Sequence, residues 1–329
     1  MKKILVTGGA GFVGRRFVRR FLLAGDEVVC VDPIAAGTGA INPGAGWPLF
    51  DPRDFQTFHF FKQDCRDYFR EHTAEHFDEV CHLAAMVGGR LMIERQPLLV
   101  ADDLSIDAHY WQWAEVAKPR KSIIFSSSAA YPIKYQRREN YCLLKESMID
   151  FTSDLGMPDM TYGWAKLTME YVSRLAYEKH GLESVCYRPF SGYGEDQDLT
   201  YPFPSICKRV LENRGASRIQ VWGTGQQMRD FVHIEDCIDG VLSTKDKIHN
   251  GEAINLSTGI LTSFIALITQ AANLIGYSPE VVGLSDKPEG VFARAGDTSL
   301  QRHLGFSPRI SLEEGIRRSL AYFEKVICP

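Results

Sequence analysis

The sequence lacks the excess of basic residues that nucleic-acid-binding proteins usually carry. Its 329 residues include 37 lysines and arginines against 41 aspartates and glutamates, so the formal net charge is -4. Binding to a phosphate backbone depends on a surplus of positive charge. We therefore expect no nucleic acid among the partners of this protein.

Long apolar runs are missing at the N-terminus. It reads MKKILVTGGAGFVG, in which a short apolar run follows two lysines and ends at Thr7. A membrane-spanning helix needs about 20 apolar residues, and a signal peptide needs an apolar region of about 7–15 residues. This stretch supplies neither, so we expect a cytoplasmic protein without a membrane partner.

The cysteines lack the paired spacing of a disulfide framework or a zinc site. None of the eight belongs to a C-x-x-C pair, and most lie in apolar surroundings such as VVCVD and EVCHLAA. They are expected to be small core residues, and we predict no metal site. What is present is the composition of a soluble globular protein, with 45% hydrophobic and 24% charged residues.

A glycine-rich turn follows the first apolar run. Gly8, Gly11 and Gly14 fit the pattern G-x-x-G-x-x-G, between a short strand and a stretch whose apolar spacing predicts a helix. Glycines at these positions permit a tight turn and bring backbone N–H groups close to a pyrophosphate. We predict that the turn, with Phe12 and Val13 at the start of the helix, binds a dinucleotide.

The second predicted strand, EVVCVD, ends in an acidic residue. Asp32 stands about twenty residues after the glycines, where a carboxylate accepts hydrogen bonds from the adenosine ribose. It would repel a 2′-phosphate, and no arginine follows closely, so the predicted cofactor is NAD rather than NADP. An aspartate that only begins a turn is the alternative interpretation.

Strand-like runs continue to alternate with helical segments through residue 125. This alternation predicts an α/β fold with a doubly wound, parallel Rossmann sheet, whose ligands bind at the carboxyl ends of the strands. Asp64, Cys65 and the stretch Leu83, Ala84 and Ala85 follow two such strands and are predicted to contact the cofactor. A capping aspartate and a helix start built from small residues explain the same positions.

Three serines, residues 126 to 128, end the next strand, and the segment TYGWAK follows at 161–166. Tyr162 and Lys166 are four residues apart and share one face of a helix. A nearby ammonium favours the phenolate, so we expect Lys166 to lower the pKa of Tyr162. A serine hydroxyl can bind the same substrate oxygen while the tyrosine moves a proton.

In these motifs the chain resembles the extended short-chain dehydrogenase/reductase family of nucleotide-sugar epimerases, dehydratases and reductases. TGGAGFVG, HLAA, SSSAAYP, YGWAK, RPFSGYG and VWGTGQQMRDFVHIED all have counterparts in order. The resemblance implies Ser127, Tyr162 and Lys166 as catalytic residues, because the family's serine or threonine precedes the strand-end tyrosine, here Tyr131, by four positions. It also implies a nucleotide-diphosphate sugar as substrate.

The resemblance further implies two domains. Residues 1–188 form the NAD-binding Rossmann domain, and residues 189–329 form mainly a smaller substrate-binding α/β lobe, with some segments returning to the first domain. It implies substrate contacts from the following residues: Gly88, Ser128, Ala129, Ser191, Arg229, Arg294 and Asp297. Arginine suits phosphate oxygens, although surface ion pairs and solvated loop charges explain the same arginines and Asp297. Ser191 replaces the asparagine of most members.

Several details, among them MVGG, are similar to GDP-mannose 3,5-epimerases and GDP-fucose synthases. Both relatives have a cysteine for proton exchange two residues after the catalytic serine, and here that residue is Ala129. The 4,6-dehydratases have an Asp-Glu pair where this chain has Ser128 and Ala129. We therefore expect a 4-epimerase acting on a GDP- or UDP-sugar through a transient 4-keto sugar. A GDP-sugar dehydrogenase or 4-ketoreductase, a 3,5-epimerase and a non-catalytic NAD(H) sensor are the alternatives.

The family pairs two helices into a dimeric four-helix bundle, so the resemblance implies a homodimer. The aromatic residues of the segments 98–117 and 163–180 are expected either to lie at that interface or to pack internally. Residues 132–160 are longer and more polar than a minimal connection needs. They either cover the sugar or form a surface excursion.

Overall fold

The structure, a computed structural model, describes residues 1–86, 88, 90–287 and 289–327. The chain forms two compact units. The first unit contains residues 1–130, 160–188 and 241–254, and the second contains residues 131–159, 189–240 and 255–329.

The strands are numbered in chain order: β1 (Lys3–Thr7), β2 (Glu27–Val31), β3 (Phe58–Phe61), β4 (Glu79–His82), β5 (Lys121–Phe125), β6 (Gln136–Arg137), β7 (Asn140–Tyr141), β8 (Ser184–Pro189), β9 (Gly192–Tyr193), β10 (Arg218–Trp222), β11 (Met228–Arg229), β12 (Val232–His233), β13 (Asn250–Leu256), β14 (Thr262–Ser263), β15 (Glu280–Leu284) and β16 (Ala293–Arg294). The α-helices are α1 (Phe12–Leu23), α2 (Cys65–Glu71), α3 (Arg90–Arg95), α4 (Pro97–Val100), α5 (Asp102–Ala117), α6 (Met160–His180), α7 (Pro202–Glu212), α8 (Ile234–Thr244), α9 (Phe264–Leu274), α10 (Ser299–His303) and α11 (Leu312–Ile327).

The main sheet has seven strands in the order β13-β8-β5-β4-β1-β2-β3. The registers from β8 to β3 are parallel throughout. Strand β1 lies near the middle and is followed by crossovers in both directions, to β2 on one side and later to β4 on the other. Its apolar residues are buried on both faces, as expected for a parallel sheet that is covered by helices. The predicted doubly wound Rossmann fold is confirmed.

Helix α5 is buried on several sides. Tyr110, Trp111 and Trp113 are all buried in the core, while Tyr171 and Tyr177 of α6 are exposed. The three aromatic residues of α5 therefore take the internal packing that was one of the two expectations for them. In the described part of the chain, every helix is too short or too polar to cross a membrane.

The second unit has its own core, in which α7, α9 and α11 contribute most of the apolar residues. Residues 131–159 belong to this unit, whereas the predicted division put them in the first. The reason is backbone hydrogen bonding: Leu144 N–H donates to the Ala295 carbonyl, and Phe292 N–H donates to the Gln136 carbonyl. Residues 241–254, by contrast, belong to the first unit.

Candidate active site

The glycine turn is packed too tightly for larger residues. Gly8 has a φ of +68°, and a Cβ there would lie 2.8 Å from the Ala84 backbone nitrogen. A Cβ on Gly14 would lie 2.4 Å from the Gly8 carbonyl oxygen. Gly11 differs, because a Cβ there would meet only the Gly8 oxygen, at 3.2 Å. Gly8 and Gly14 therefore shape the turn, and Gly11 leaves space at its surface.

Helix α1 begins without a side-chain cap. Gly11 is its N-cap residue, and the first turn contains no acidic residue. The backbone N–H groups at the start of a helix, here those of Phe12 and Val13, have no acceptor within the helix, and the helix dipole adds positive charge. This end of α1 therefore fits the pyrophosphate of a dinucleotide.

Asp32 is buried at the carboxyl end of β2. Its carboxylate accepts hydrogen bonds from the backbone N–H groups of Ala10 and Ile34, at 3.1 and 2.8 Å. Burial raises the pKa of Asp32, and these two hydrogen bonds and Arg15 act in the opposite direction. Asp32 thus lies beside the glycine turn, where a ribose would approach. Its hydrogen bond from Ile34 also forms a side-chain turn at the end of β2.

Asp64 caps helix α2, as one of its two interpretations predicts. Its side chain accepts a hydrogen bond from the Arg66 backbone and forms an ion pair of 2.7 Å with the Arg66 guanidinium. Arg66 in turn reaches Asp102 at 2.8 Å. Cys65 is buried, which raises the pKa of its thiol to about 12. Both residues follow β3, at the same sheet edge as Asp32.

The segment after β4 is tied to the glycine turn. Leu83 N–H donates to the Thr7 carbonyl at 3.1 Å, and Ala84 N–H donates to the Thr7 hydroxyl at 3.3 Å. Ala85 continues this segment, and Gly88 lies close to Met92. In the stretch MVGG, Val87 and Gly89 lie outside the described residues.

The side chains of Ser127, Tyr162 and Lys166 lie together in the first unit. Ser127 follows β5, and its hydroxyl is close enough to Tyr162 to lower the pKa of that phenol. Lys166 is buried, and its Nζ lies 5.6 Å from the centroid of the Tyr162 ring. One strand end and one turn of α6 therefore bring a phenol, a hydroxyl and an ammonium to the same place.

The electrostatics of Tyr162 differ from the expectation that Lys166 would bring its pKa down. Burial raises the pKa of Tyr162; Lys166 lowers it, but Asp103 raises it again. For Lys166, burial disfavours the charge, yet Asp103 and Tyr162 outweigh burial and the pKa is raised. Asp103 could not be predicted from the sequence, because it lies far from both residues along the chain.

The two residues after Ser127 carry no acid–base group beyond a hydroxyl. Ser128 and Ala129 are buried in a short helical turn. Ala129 N–H donates to the Ser127 hydroxyl oxygen at 3.1 Å, which fixes the direction of that side chain. Ala129 itself offers only a methyl group to its surroundings.

A buried ion pair lies next to these residues, and it was not predicted from the sequence. Arg188 of β8 and Glu170 of α6 are both about 1% exposed and form two hydrogen bonds, of 2.8 and 2.5 Å. The Ser126 hydroxyl also donates to Glu170. The pair thus joins the end of β5 to the helix that carries Tyr162 and Lys166.

In the second unit, Arg229 and Arg294 are register partners on the neighbouring parallel strands β11 and β16. Part of each guanidinium is already bonded: Arg229 donates to the Val291 carbonyl at 2.9 Å, and Arg294 forms a 2.7 Å ion pair with Asp159. Asp297 accepts a hydrogen bond from the Ser299 backbone at 2.9 Å. Ser191 is partly buried and immediately precedes β9.

Residues 4–257 match the model of the NAD dependent epimerase/dehydratase family. The chain belongs to this family. Membership confirms the recognised relationship to the extended short-chain dehydrogenase/reductases, and it confirms NAD as the cofactor. The glycine turn, the uncapped start of α1 and Asp32 are the features of this chain that fit NAD.

Curated relatives in the family have different activities. The chain is 24% identical to GDP-L-fucose synthase 1 of Arabidopsis thaliana, over 99% of this chain and 94% of the relative. It is 25% identical to UDP-glucose 4-epimerase of Mycolicibacterium smegmatis, over 98% of each protein. It is also 25% identical to dTDP-glucose 4,6-dehydratase of Streptomyces griseus, over 98% and 94%.

Solved structures of the family share the fold. UDP-glucose 4-epimerase of Thermotoga maritima, solved with UDP-glucose, superposes with a TM-score of 0.81 at 25% identity and covers 99% of each chain. UDP-glucuronic acid 4-epimerase of Bacillus cereus, solved with UDP-glucuronic acid and NAD, gives a TM-score of 0.82 at 24% identity. The protein is therefore an enzyme of the family that contains nucleotide-sugar epimerases and dehydratases.

Proposed function

We propose that this protein is an NAD-dependent 4-epimerase of a nucleotide-diphosphate sugar, a GDP- or UDP-sugar. The observation that carries the proposal is the placing of Ser127 and Lys166 beside Tyr162, together with Ala129, which has no group for acid–base chemistry. Such a site can move a proton on one sugar oxygen. It lacks, at positions 128 and 129, a group for removing a proton from a neighbouring carbon.

The proposed reaction needs one proton acceptor and one oriented hydroxyl. NAD, when bound, would supply the acceptor and donor of hydride for the sugar carbon C4. Tyr162 takes the proton of the 4-hydroxyl as the C4 carbonyl forms, and it gives the proton back when hydride returns to the opposite face. Ser127 donates a hydrogen bond to the same oxygen. Lys166 supplies positive charge beside the phenolate.

The diphosphate of the substrate needs positive charge outside this centre. We assign that role to Arg229 and Arg294 of the second unit, because their positions on neighbouring strands place two guanidinium-bearing residues side by side. The bonds to Val291 and Asp159 hold the two side chains in place. Ser191 and Asp297 are the further candidates for substrate contacts in this unit.

The test is to purify the protein, release any bound nucleotide by denaturation, and identify it by chromatography. The native protein is then incubated with UDP-, GDP-, dTDP- and CDP-sugars in deuterated water, and the products are followed by NMR. A 4-epimer formed without deuterium at the carbons beside C4 and without net consumption of NAD supports the proposal.

The other outcomes identify the alternatives. Deuterium beside C4 indicates 3,5-epimerisation, and consumption of one NAD or NADH per product indicates a dehydrogenase or 4-ketoreductase. Tyr162→Phe should abolish turnover, while Tyr177→Phe, at an exposed tyrosine of the same helix, should retain it. If no sugar is turned over by the native protein, the enzyme proposal is wrong and an NAD(H) sensor is favoured.

We also propose that the protein is a homodimer that pairs through α5 and α6. Trp164 and Tyr171 are seven residues apart on one face of α6, and they are 44% and 45% exposed. Large exposed aromatic residues of this kind are typical of interfaces. Tyr171→Glu should convert the dimer to a monomer in light scattering, whereas Tyr141→Glu, at a similarly exposed tyrosine of the second unit, should not.

A further inference from the structure

The first unit contains a buried cluster of charged and polar side chains that the proposed reaction does not use directly. Asp103, in the first turn of α5, is fully buried. One of its oxygens, Oδ1, accepts a hydrogen bond from the Met86 backbone N–H. The other, Oδ2, has no hydrogen-bond partner and lies 3.9 Å from the Nζ of Lys166.

The cluster continues one turn further along α5. Asp107 is also buried, and its Oδ1 lies 3.3 Å from Nε2 of His82 on β4. The other ring nitrogen of His82, Nδ1, is 2.8 Å from the Thr7 hydroxyl. Burial lowers the pKa of His82, so the neutral ring is favoured. Asp103 is therefore the carboxylate beside the Lys166 ammonium, and Asp107 adds a weaker effect that also raises the pKa of Lys166.

This arrangement changes what Lys166 does for Tyr162. An ammonium that faces only a phenol would stabilise the phenolate strongly, but a nearby carboxylate cancels part of that field. Uncompensated buried charges interact strongly because little water screens them. The negative charge of Asp103 therefore opposes the loss of the Tyr162 proton.

We propose that Asp103 is a positioning residue of this centre: its carboxylate holds Lys166 beside Tyr162, shares the ammonium charge, and limits how strongly that charge favours the phenolate. The proposal rests on the role of Tyr162 given above. Asp103 touches neither the substrate nor the cofactor in this proposal.

The groups that act on the charge of Tyr162 come from three neighbouring elements. Helix α5 contributes Asp103 and Asp107, α6 contributes Lys166, and the end of β5 contributes Ser127. Burial raises the pKa of Asp103 to about 6, against the effect of Lys166. Protonation of Asp103 near this pH should therefore change the NMR signal of Tyr162. This change occurs at a pH at which the protein can be studied in its folded state.

The experiment follows Tyr162 by NMR in protein labelled at the ζ-carbon of tyrosine, with the signal assigned by its loss in Tyr162→Phe. In the parent protein we expect the Tyr162 signal to shift through a step near pH 6 that reports Asp103. In Asp103→Asn, whose amide oxygen can still accept the Met86 hydrogen bond, the step should vanish. The alkaline midpoint of Tyr162 should also fall by about one pH unit.

The matched control is Asp102→Asn, which removes the neighbouring carboxylate that pairs with Arg66. It should keep both the step near pH 6 and the parental alkaline midpoint. A step that persists in Asp103→Asn, or an unchanged midpoint, would overturn the proposal. If Asp103→Asn does not fold, Asp107→Asn should lower the midpoint by a smaller amount, and no change there would overturn it.

This titration needs no substrate, so it can be separated from the assay of function. If the protein has no epimerase activity but shows the expected titration, the proposed reaction is wrong and the role of Asp103 is supported. If the protein has epimerase activity but the titration is unchanged in Asp103→Asn, the proposed reaction is supported and the role of Asp103 is wrong.

Discussion

Replacing Gly14 by alanine has two opposing effects on stability: alanine has the higher helix propensity, but its Cβ overlaps with neighbouring backbone atoms. Gly14 is inside helix α1, where alanine is favoured over glycine by about 1 kcal/mol. The new Cβ would, however, lie 2.4 Å from the Gly8 carbonyl oxygen and 2.6 Å from the Gly9 Cα. Both contacts are with backbone, which cannot turn aside as a long side chain could, and overpacking of this kind costs about 1–3 kcal/mol or more.

We expect the steric overlap of the new Cβ to outweigh the gain in helix propensity. Gly14→Ala should lower the free energy of unfolding by about 1–2 kcal/mol, which for a chain of 329 residues corresponds to a fall in Tm of roughly 1.5–3 °C. The measurement is thermal unfolding by circular dichroism, on protein freed of bound nucleotide so that ligand binding does not add to stability. Binding of NAD by Gly14→Ala should weaken as well, because the turn must shift to admit the methyl group.

Gly11→Ala is the matched control for this prediction. Its Cβ would meet only the Gly8 oxygen, at 3.2 Å, and its φ of −73° is compatible with alanine. This variant should keep the parental Tm while its affinity for NAD falls at least tenfold, because the methyl group occupies the approach of the pyrophosphate. A Gly14→Ala protein as stable as the parent would refute the packing argument, and a Gly11→Ala protein with parental affinity would refute the location of the pyrophosphate.

Two further predictions concern buried charges. Glu170→Gln removes the carboxylate of the buried ion pair with Arg188 and should lower the free energy of unfolding by about 3 kcal/mol, whereas Glu324→Gln, in an exposed ion pair, should change it by less than about 1 kcal/mol. Equal effects in chemical denaturation would contradict this. Asp32→Asn removes the repulsion of a 2′-phosphate, so the preference for NAD over NADP should fall by about tenfold, roughly 1.4 kcal/mol, in fluorescence titrations. An unchanged ratio would mean that Asp32 does not face the ribose.

The parts of the fold that the sequence predicted are those encoded by local patterns. The strand, glycine turn and helix at residues 3–23 lie where the apolar spacing and Gly8, Gly11 and Gly14 indicated. Tyr162 and Lys166 share a helix face because four residues complete about one turn. These features need no knowledge of distant segments, and the alternation of strands and helices then restricts the topology.

The division of the chain into units depended on contacts between distant segments. Residues 131–159 follow the strand that carries Ser127, so a linear division assigned them to the Rossmann domain. They instead bond through Gln136 and Leu144 to the backbone around residues 292–297, more than a hundred positions away. No local pattern in the segment marks these partners, because short strands of two residues have no detectable period.

The electrostatics of the site were beyond sequence reasoning for a similar reason. A lysine four residues from a tyrosine predicts a lowered tyrosine pKa only when no other charge is near. Asp103 lies 63 positions before Lys166, at the start of a different helix, and only the packing of α5 against α6 brings its carboxylate to the ammonium. In sequence it is one acidic residue of the first turn of α5, where acidic residues are favoured by the helix dipole alone. Its burial, with one oxygen lacking a hydrogen-bond partner, is what distinguishes it from Asp102, which is partly exposed and paired with Arg66. The sign of a pKa shift at Tyr162 thus depends on the complete set of charges around the hydroxyl, and a motif contains only some of them.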